Sequence, residues 1–278
     1  MKFIKMHGCG NDYVLVDGFE QTIENPGAVA RALCDRRFGI GADGFIVLEP
    51  AHGAQGRMRI FNPDGSEAEM CGNGIRCVAR FLFEKTGQGG DKIEIETQAG
   101  KRVVTRQMEN GLEMFDVNMG KPVFLGKSDG GLVSVSQPEE VLADIGSVTI
   151  TGVPVSVGNP HFVVFVDDMG VCPVREWGPA IERLPLFENG TNVEFIQVQA
   201  RGRFRQRTWE RGAGETLACG TGASAAAAVA VALGKAGNPV IAELLGGWLS
   251  LSIDDEGVVF MRGEAIEVFR GATGNSIG

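Results

Sequence analysis

The chain has no basic run, no apolar leader, no span-length hydrophobic stretch and no clustered histidine. Its formal net charge is −9, with Asp and Glu spread along all 278 residues, which excludes the electrostatic footprint that nucleic acid or an anionic membrane requires. The opening Met1-Lys2-Phe3-Ile4-Lys5-Met6-His7 lacks the apolar core of a secretory signal, so a cytoplasmic location is expected. The longest charge-free apolar run, Ala223 to Gly234, falls short of the ~20 residues that cross a bilayer and suits a helix buried all round. Six cysteines contain no C-x-x-C pair, and with only three histidines a zinc site or a dithiol redox centre has little to build on; reduced thiols are the expectation. Nor does any lysine stand in a context that singles it out for a pyridoxal phosphate Schiff base. No metal and no cofactor are therefore expected.

What is abundant is glycine, 41 of 278 residues, about twice the usual share. Much of it flanks two cysteines that sit in copies of one motif. Glu69-Met70-Cys71-Gly72-Asn73-Gly74 and Leu217-Ala218-Cys219-Gly220-Thr221-Gly222 are separated by 219 − 71 = 148 positions. The same offset aligns Gly10 to Val16 with Gly158 to Val164, Asn11 with Asn159, Tyr13 with His161, Asn62 with Glu210 and Gly44 with Asn192. An internal repeat with one thiol per copy predicts two pseudo-symmetric domains, the first over 1–118 with the C-terminal 264–278, the second over 119–263.

In the first copy the pattern predicts a helix over Pro26–Arg36, strands at Phe45–Leu48 and Met58–Phe61, and a helix over Gly74–Lys85 with Ile75, Val78, Phe81 and Leu82 on one face. Strands at Ile93–Thr97, Arg102–Arg106 and Leu112–Val117 follow. Residues 119–148 read as a connection carrying a short helix near Pro138–Ile145. The second copy, starting near Val153, predicts strands at Phe162–Val166, Val193–Val198 and Phe204–Trp209, a helix around Pro179–Leu184, the alanine-rich helix after Cys219, and three C-terminal strands. The fold class is α/β of an α+β-like kind, each domain a curved sheet wrapped around a central buried helix.

Both Cys71 and Cys219 lie immediately before a predicted helix, inside a glycine-rich turn. The helix dipole there favours thiolate, and the first-turn N–H groups converge on an anion. One thiolate could remove an amino-acid α-proton while the opposite thiol delivers a proton to the other face, giving racemisation or epimerisation. Cys34, Cys77 and Cys172 read as core. Asn11 and Asn159 are either turn residues or site residues; His161 is either a surface histidine or a group that tunes a thiol. Glu210-Arg211 is either a solvated turn or a grip on a second charged end of a substrate.

These segments resemble a known family. Phe61-Asn62-Pro63-Asp64-Gly65-Ser66-Glu67-Ala68 running into the first cysteine motif, and Glu210-Arg211-Gly212-Ala213-Gly214-Glu215-Thr216 before the second, are similar to the two signatures of the diaminopimelate epimerases. Lys5 to Asp12, Gly158-Asn159-Pro160-His161 and Thr191-Asn192-Val193-Glu194-Phe195 are similar too. The resemblance implies a cofactor-independent enzyme that interconverts LL- and meso-diaminopimelate, feeding lysine and peptidoglycan synthesis. It implies Cys71 and Cys219 as the acid/base pair, Gly72, Asn73, Gly220 and Thr221 as a carboxylate cradle, and His161 and Glu210 as neighbours that tune the thiols. Asn11, Asn62, Asn159, Asn192, Glu210 and Arg211 carry over as substrate contacts. Diaminopimelate is the implied small-molecule partner, with a homodimer as the usual assembly and the C-terminal strand returning to the first domain. Many relatives carry Gln after Gly-Ala-Asp, where this chain has Gly44, so a side-chain contact from that position is lost or replaced. Another two-cysteine enzyme, a proline or hydroxyproline racemase, is the nearest rival. The asparagine set and Arg211 argue against it, because proline has no second charged end.

Overall fold

The computed structural model describes residues 1–87 and 90–274. The expectation for 264–278 thus extends past the described residues at 275–278. In chain order the elements are β1 (Lys2–Gly8), β2 (Asn11–Asp17), α1 (Pro26–Cys34), β3 (Gly44–Glu49), β4 (Gly56–Phe61), β5 (Glu67–Ala68), α2 (Gly72–Thr86), β6 (Lys92–Thr97), β7 (Gly100–Glu109) and β8 (Leu112–Gly120). There follow β9 (Val123–Ser128), β10 (Gly131–Val135), β11 (Val141–Ile145), β12 (Val148–Ser156), β13 (Pro160–Phe165), α3 (Val174–Glu182), β14 (Asn192–Ala200) and β15 (Arg203–Glu210). The chain closes with β16 (Gly214–Thr216), α4 (Gly220–Ala232), β17 (Val240–Leu244), β18 (Gly247–Ile253), β19 (Val259–Glu264) and β20 (Ile266–Ala272). These form two compact units, Met1–Val117 with Arg262–Gly278, and Asn118–Met261.

In the first unit β1 pairs antiparallel with β2 and, on its other side, with β20, so the last strand completes the sheet that the first one starts. β2 runs parallel to β3, with Tyr13 opposite Gly44, and β3 continues antiparallel into β4. The strands read as apolar runs because both faces are covered: Val14, Leu15, Val16, Phe45, Ile46 and Leu48 are all fully buried. Helix α1 covers one face, capped by Asn25, whose side chain accepts from Ala28 N–H, with Pro26 at its first position. Helix α2 packs against β1, β2, β4 and β6 and ends at Gly87 in the left-handed conformation.

The second unit repeats the plan. β12 and β13 are antiparallel, β13 and β14 parallel with His161 opposite Asn192, and β14 and β15 antiparallel. Its helix α4 touches β12, β13, β14, β17 and β18, and Ala223 to Ala230 are buried without a break. Alanine is what permits this. With no side chain beyond Cβ, every face of the helix lies close against a strand, and the residue with the best helix propensity supplies the turns. A core of Phe162, Val164, Val174, Ile181, Phe187, Val193 and Phe195 fills the space under α3, with Phe162 edge-on to Phe187 at 5.5 Å.

Two expectations need correcting. Residues 138–145 form no helix. Val141 and Ala143 are buried while Leu142 and Asp144 are exposed, a period of two, and the segment pairs antiparallel with β12 as strand β11. The connection also holds the hairpin β9–β10. Helix α3 begins at Val174 rather than near Pro179, which instead sits inside it; Pro173 precedes the first turn, so the wrong proline marks the start in the sequence.

Phe162→Ala is expected to destabilise the protein by about 3–5 kcal/mol, since a fully buried ring leaves a cavity the alanine cannot fill. Urea unfolding followed by near-ultraviolet circular dichroism checks this, and a loss below about 1 kcal/mol would mean the core collapses around the site.

Candidate active site

Cys71 is the residue just before α2, with extended backbone (φ −139°, ψ 120°). Glycine at 74 allows the first helical turn to sit against the sheet: a Cβ there would lie 3.1 Å from Ile46 Cδ1 and 3.4 Å from Ile60 Cδ1. The sulfur lies 3.0 Å from Tyr13 Oη and 4.0 Å from Asn11 Oδ1. Tyr13 O–H also donates to Asn11 Oδ1, and Asn73 Nδ2 reaches the same oxygen at 3.4 Å. The Asn11 amide is fixed from behind by Asp43, which accepts from Asn11 Nδ2 at 2.8 Å and from the Asp12 N–H at 3.1 Å. Asp12 is held by Lys5 and Arg36, and Arg36 also bridges to Asp43. Burial works to raise the Asp12 carboxyl, but the hydrogen bonds from Arg36 and Lys5 outweigh it and keep the group ionised well below the usual carboxylate range.

Behind the first turn of α2 lies Arg76, wholly buried. It donates to the Gly72 carbonyl at 3.2 Å and the Glu264 carbonyl at 3.1 Å, and its Nη2 is 3.7 Å from Cys9 Sγ. Gly8 has no room for a Cβ because Arg76 Nη2 would be 2.8 Å away. Asn62 closes its own turn, bonding Ser66 through side chain and backbone, and is exposed; its bonds do not join it to the Cys71 group.

In the second unit Cys219 precedes α4 in the same extended conformation (φ −122°, ψ 111°) and accepts from the Gly222 N–H at 3.4 Å. Thr221 Oγ1 is 3.4 Å from the sulfur. From Thr221 a chain of bonds runs inward: Asn159 Nδ2 donates to Thr221 at 3.3 Å, Asn159 Oδ1 meets His161 Nε2 at 2.9 Å, and His161 Nδ1 meets Glu194 Oε1 at 2.9 Å. His161 and Glu194 are buried, so the reading of His161 as a surface residue is dropped. Glu194 presses on the first turn: a Cβ at Gly222 would lie 2.5 Å from Glu194 Oε1. On the 148-residue offset Glu194 matches Ile46 (194 − 46 = 148), which holds the same place under Gly74. One repeat packs a methyl there and the other a carboxylate.

The remaining candidates gather around Asn192. Its side chain donates to the Pro160 carbonyl at 2.8 Å and accepts from the Arg211 N–H at 3.0 Å. The Arg211 guanidinium is exposed and donates to the Asn189 carbonyl at 3.2 Å. Glu210 accepts from Thr216 Oγ1 at 2.5 Å. Gly72, Asn73 and Gly220 are buried in the first helical turns, with Thr221 half-buried.

At Cys219 other groups act on the thiol besides the helix end. Burial pushes its pKa well above the ordinary thiol value, Glu210 and Glu194 add to the rise, and the Thr221 and Gly222 hydrogen bonds only partly offset them. Cys77 is fully buried, and burial pushes its thiol up to about 12; Cys34 is likewise raised to about 12. Both fit a core role. Among the described residues no group of three or more His, Cys, Asp or Glu is placed to hold a metal ion, and no helix is long and apolar enough to cross a membrane.

Sequence reasoning gave no role to Tyr13, Asp43, Arg76 or Glu194. For Glu194 a signal was present, a lone acidic residue inside the apolar run Val193 to Ile196. For Arg76 the sequence carried no signal: it lies off the face formed by Ile75, Val78, Phe81 and Leu82, and only the structure shows it wholly buried.

Two units built alike, each with a cysteine just before a buried helix, define a duplicated α/β fold. A structure of a probable proline racemase from Agrobacterium radiobacter superposes with a TM-score of 0.75 over 99% of this chain and 93% of that one, at 17% identity. The family model for diaminopimelate epimerase matches residues 3–125 and 153–268. Diaminopimelate epimerases from Moorella thermoacetica and Pelotomaculum thermopropionicum are 46% and 45% identical to this chain, each over 98% of both sequences. The chain belongs to the diaminopimelate epimerase family.

Burial and the two nearby carboxylates raise the Cys219 thiol above its ordinary value. Its alkylation by iodoacetamide, read by peptide mapping, is expected to be slow at pH 7.5 and to accelerate only as the pH climbs past about 9, the ordinary thiol value. Fast alkylation of Cys219 at neutral pH would contradict the burial argument.

Proposed function

We propose that this chain is a cofactor-independent epimerase that interconverts LL- and meso-2,6-diaminopimelate, with Cys71 and Cys219 as its two acid/base groups, supplying lysine and peptidoglycan precursors. Family membership over nearly the whole chain carries the substrate. The carrier for the chemistry is the matched placement of each thiol at a helix N-terminus inside a glycine-rich turn.

The α-proton of an amino acid is far less acidic than a thiol, so the developing negative charge must be met by donors already in place. The first-turn N–H groups at Gly72 and Asn73, and at Gly220 and Thr221, are such donors and suit the α-carboxylate. One cysteine, as thiolate, takes the proton from Cα and becomes a thiol. The other, as thiol, gives its proton to the opposite face and becomes a thiolate. The configuration is inverted, and the two sulfurs exchange protonation states. His161 and Glu210 act on the Cys219 side, His161 through Asn159 and Thr221, Glu210 through its charge. Asn11, Asn62, Asn159 and Asn192 are taken as substrate contacts, with Arg211 gripping the distal carboxylate that proline lacks. No metal or pyridoxal phosphate is required in this scheme. We take the working form to be a cytoplasmic homodimer; Val268 and Phe269, exposed on β20, offer apolar surface to a second copy.

Incubation with LL-diaminopimelate in deuterated water is expected to yield meso product carrying deuterium at one α-carbon. Cys71→Ala and Cys219→Ala should each lower kcat by about three orders of magnitude or more, and near wild-type turnover by either would rule out two-base chemistry. Dialysis against chelator should leave activity intact. Turnover of proline in place of diaminopimelate would move the chain to the rival reading.

Arg211→Lys is expected to raise KM and lower kcat/KM about tenfold, because an ammonium cannot reproduce a bidentate guanidinium–carboxylate pair. An unchanged kcat/KM would remove Arg211 from the site.

A further inference from the structure

Gly44 and Tyr13 are neighbours across strands β2 and β3, in register with each other. A Cβ at Gly44 would meet the Tyr13 ring at 3.3 and 3.4 Å and the Phe61 carbonyl at 3.4 Å. Any side chain at 44 would therefore begin tight against the phenol, which would have to give by a few tenths of an ångström. The ring is 2% exposed, and its hydroxyl ends 3.0 Å from Cys71 Sγ. At this position the chain has a glycine, and across from it a phenol that reaches the Cys71 sulfur.

We propose that Tyr13 is a catalytic residue of the Cys71 half-reaction, a hydroxyl that accepts from the Cys71 thiol and donates to its thiolate, and that Gly44 is the residue that makes room for it.

The surrounding bonds permit that reversal at little cost. A phenol has one proton and two acceptor positions. With Cys71 protonated, Tyr13 O–H donates to Asn11 Oδ1 and its oxygen is available to the S–H. With Cys71 ionised, rotation about the C–O bond turns the same proton to sulfur, and Asn11 Oδ1 keeps a donor in Asn73 Nδ2. The Asn11 amide does not turn with it, because Asp43 holds its Nδ2. No heavy atom has to move, which is the condition for a preorganised donor. The charged groups around this point are Asp43 behind Asn11, Asp12 with its partners Lys5 and Arg36, and Arg76 beneath Gly72.

The repeat treats the other thiol differently. His161, at the position equivalent to Tyr13, turns to Asn159 and Glu194, and the hydroxyl near Cys219 is that of Thr221 at 3.4 Å. The duplication thus kept the two sulfurs and diverged in the group that serves each.

This inference rests on the epimerase reading, so its test separates the two. Tyr13→Phe keeps the ring and removes only the hydroxyl. A hydrogen bond to a charged group is lost, and kcat is expected to fall about ten- to a hundredfold with KM little changed. Independently of any substrate, the pH at which Cys71 is half-alkylated by iodoacetamide, read by peptide mapping, is expected to rise by about one unit or more, as loss of a donor to the charged form requires. Tyr13 is the chain's one tyrosine, so the Cζ resonance of tyrosine-labelled wild-type protein is unambiguous and is expected to shift when Cys71 is alkylated. Gly44→Ala, which crowds the ring, is expected to lower kcat in the wild-type background and to have no further effect in Tyr13→Phe. An unchanged Cys71 alkylation profile in Tyr13→Phe, a tyrosine resonance blind to Cys71 alkylation, or additive effects of Gly44→Ala and Tyr13→Phe would each overturn the proposal. Wild-type protein that shows the tyrosine response but does not epimerise diaminopimelate would overturn the function and leave the Tyr13–Cys71 coupling standing.

Discussion

Everything about each thiol depends on how closely the first turn of a helix is pressed against a sheet. Gly74 and Gly222 allow that contact, with Ile46 under one and Glu194 under the other. Were either turn a few tenths of an ångström further out, the cysteine before it would lose its place beside the strand residues that serve it. Close packing of this kind cannot be relaxed locally, because the helices are buried along most of their length. The amide groups that would meet a carboxylate are thus fixed by the core, not by a loop.

A pseudo-symmetric frame does not make the two thiols chemically alike. In the first unit the sulfur is served by a phenol and an amide held by the Asp12–Lys5–Arg36–Asp43 cluster. In the second it sits in a drier place, with two carboxylates raising its pKa and a threonine hydroxyl and an N–H opposing them. The proposed inversion uses one thiolate and one thiol at a time, so unequal environments are compatible with it.

The positioning groups are mostly ionic or polar side chains satisfied inside the protein. Arg76 spends its donors on the carbonyls of Gly72 and Glu264, and with Arg80, which donates to Ala265, it ties α2 to the joint between β19 and β20. Buried charge is costly unless bonded in this way. Such residues fix the geometry of a site they do not line.

The repeat, the two cysteine motifs, the buried alanine helix and most strands were legible in the sequence, because each rests on local patterning: a fixed offset, glycine beside cysteine, an apolar run, a period of two or 3.6. The misread pieces, β11 and the start of α3, are short segments where proline pointed to the wrong boundary and two buried positions decided the period. The partners of Cys219, Thr221 and the Gly222 N–H, lie inside its own motif, but the phenol beside Cys71 and the carboxylate behind His161 could not be read, because the bonds Tyr13 to Cys71 and Glu194 to His161 join residues 58 and 33 positions apart. Which strand lies beside which, and so which side chain meets a sulfur, is set by sheet register. Sequence alone determined that there are two thiols on two similar frames; only the tertiary structure decided that one faces a phenol, and the other a threonine hydroxyl backed by an asparagine–histidine–carboxylate chain.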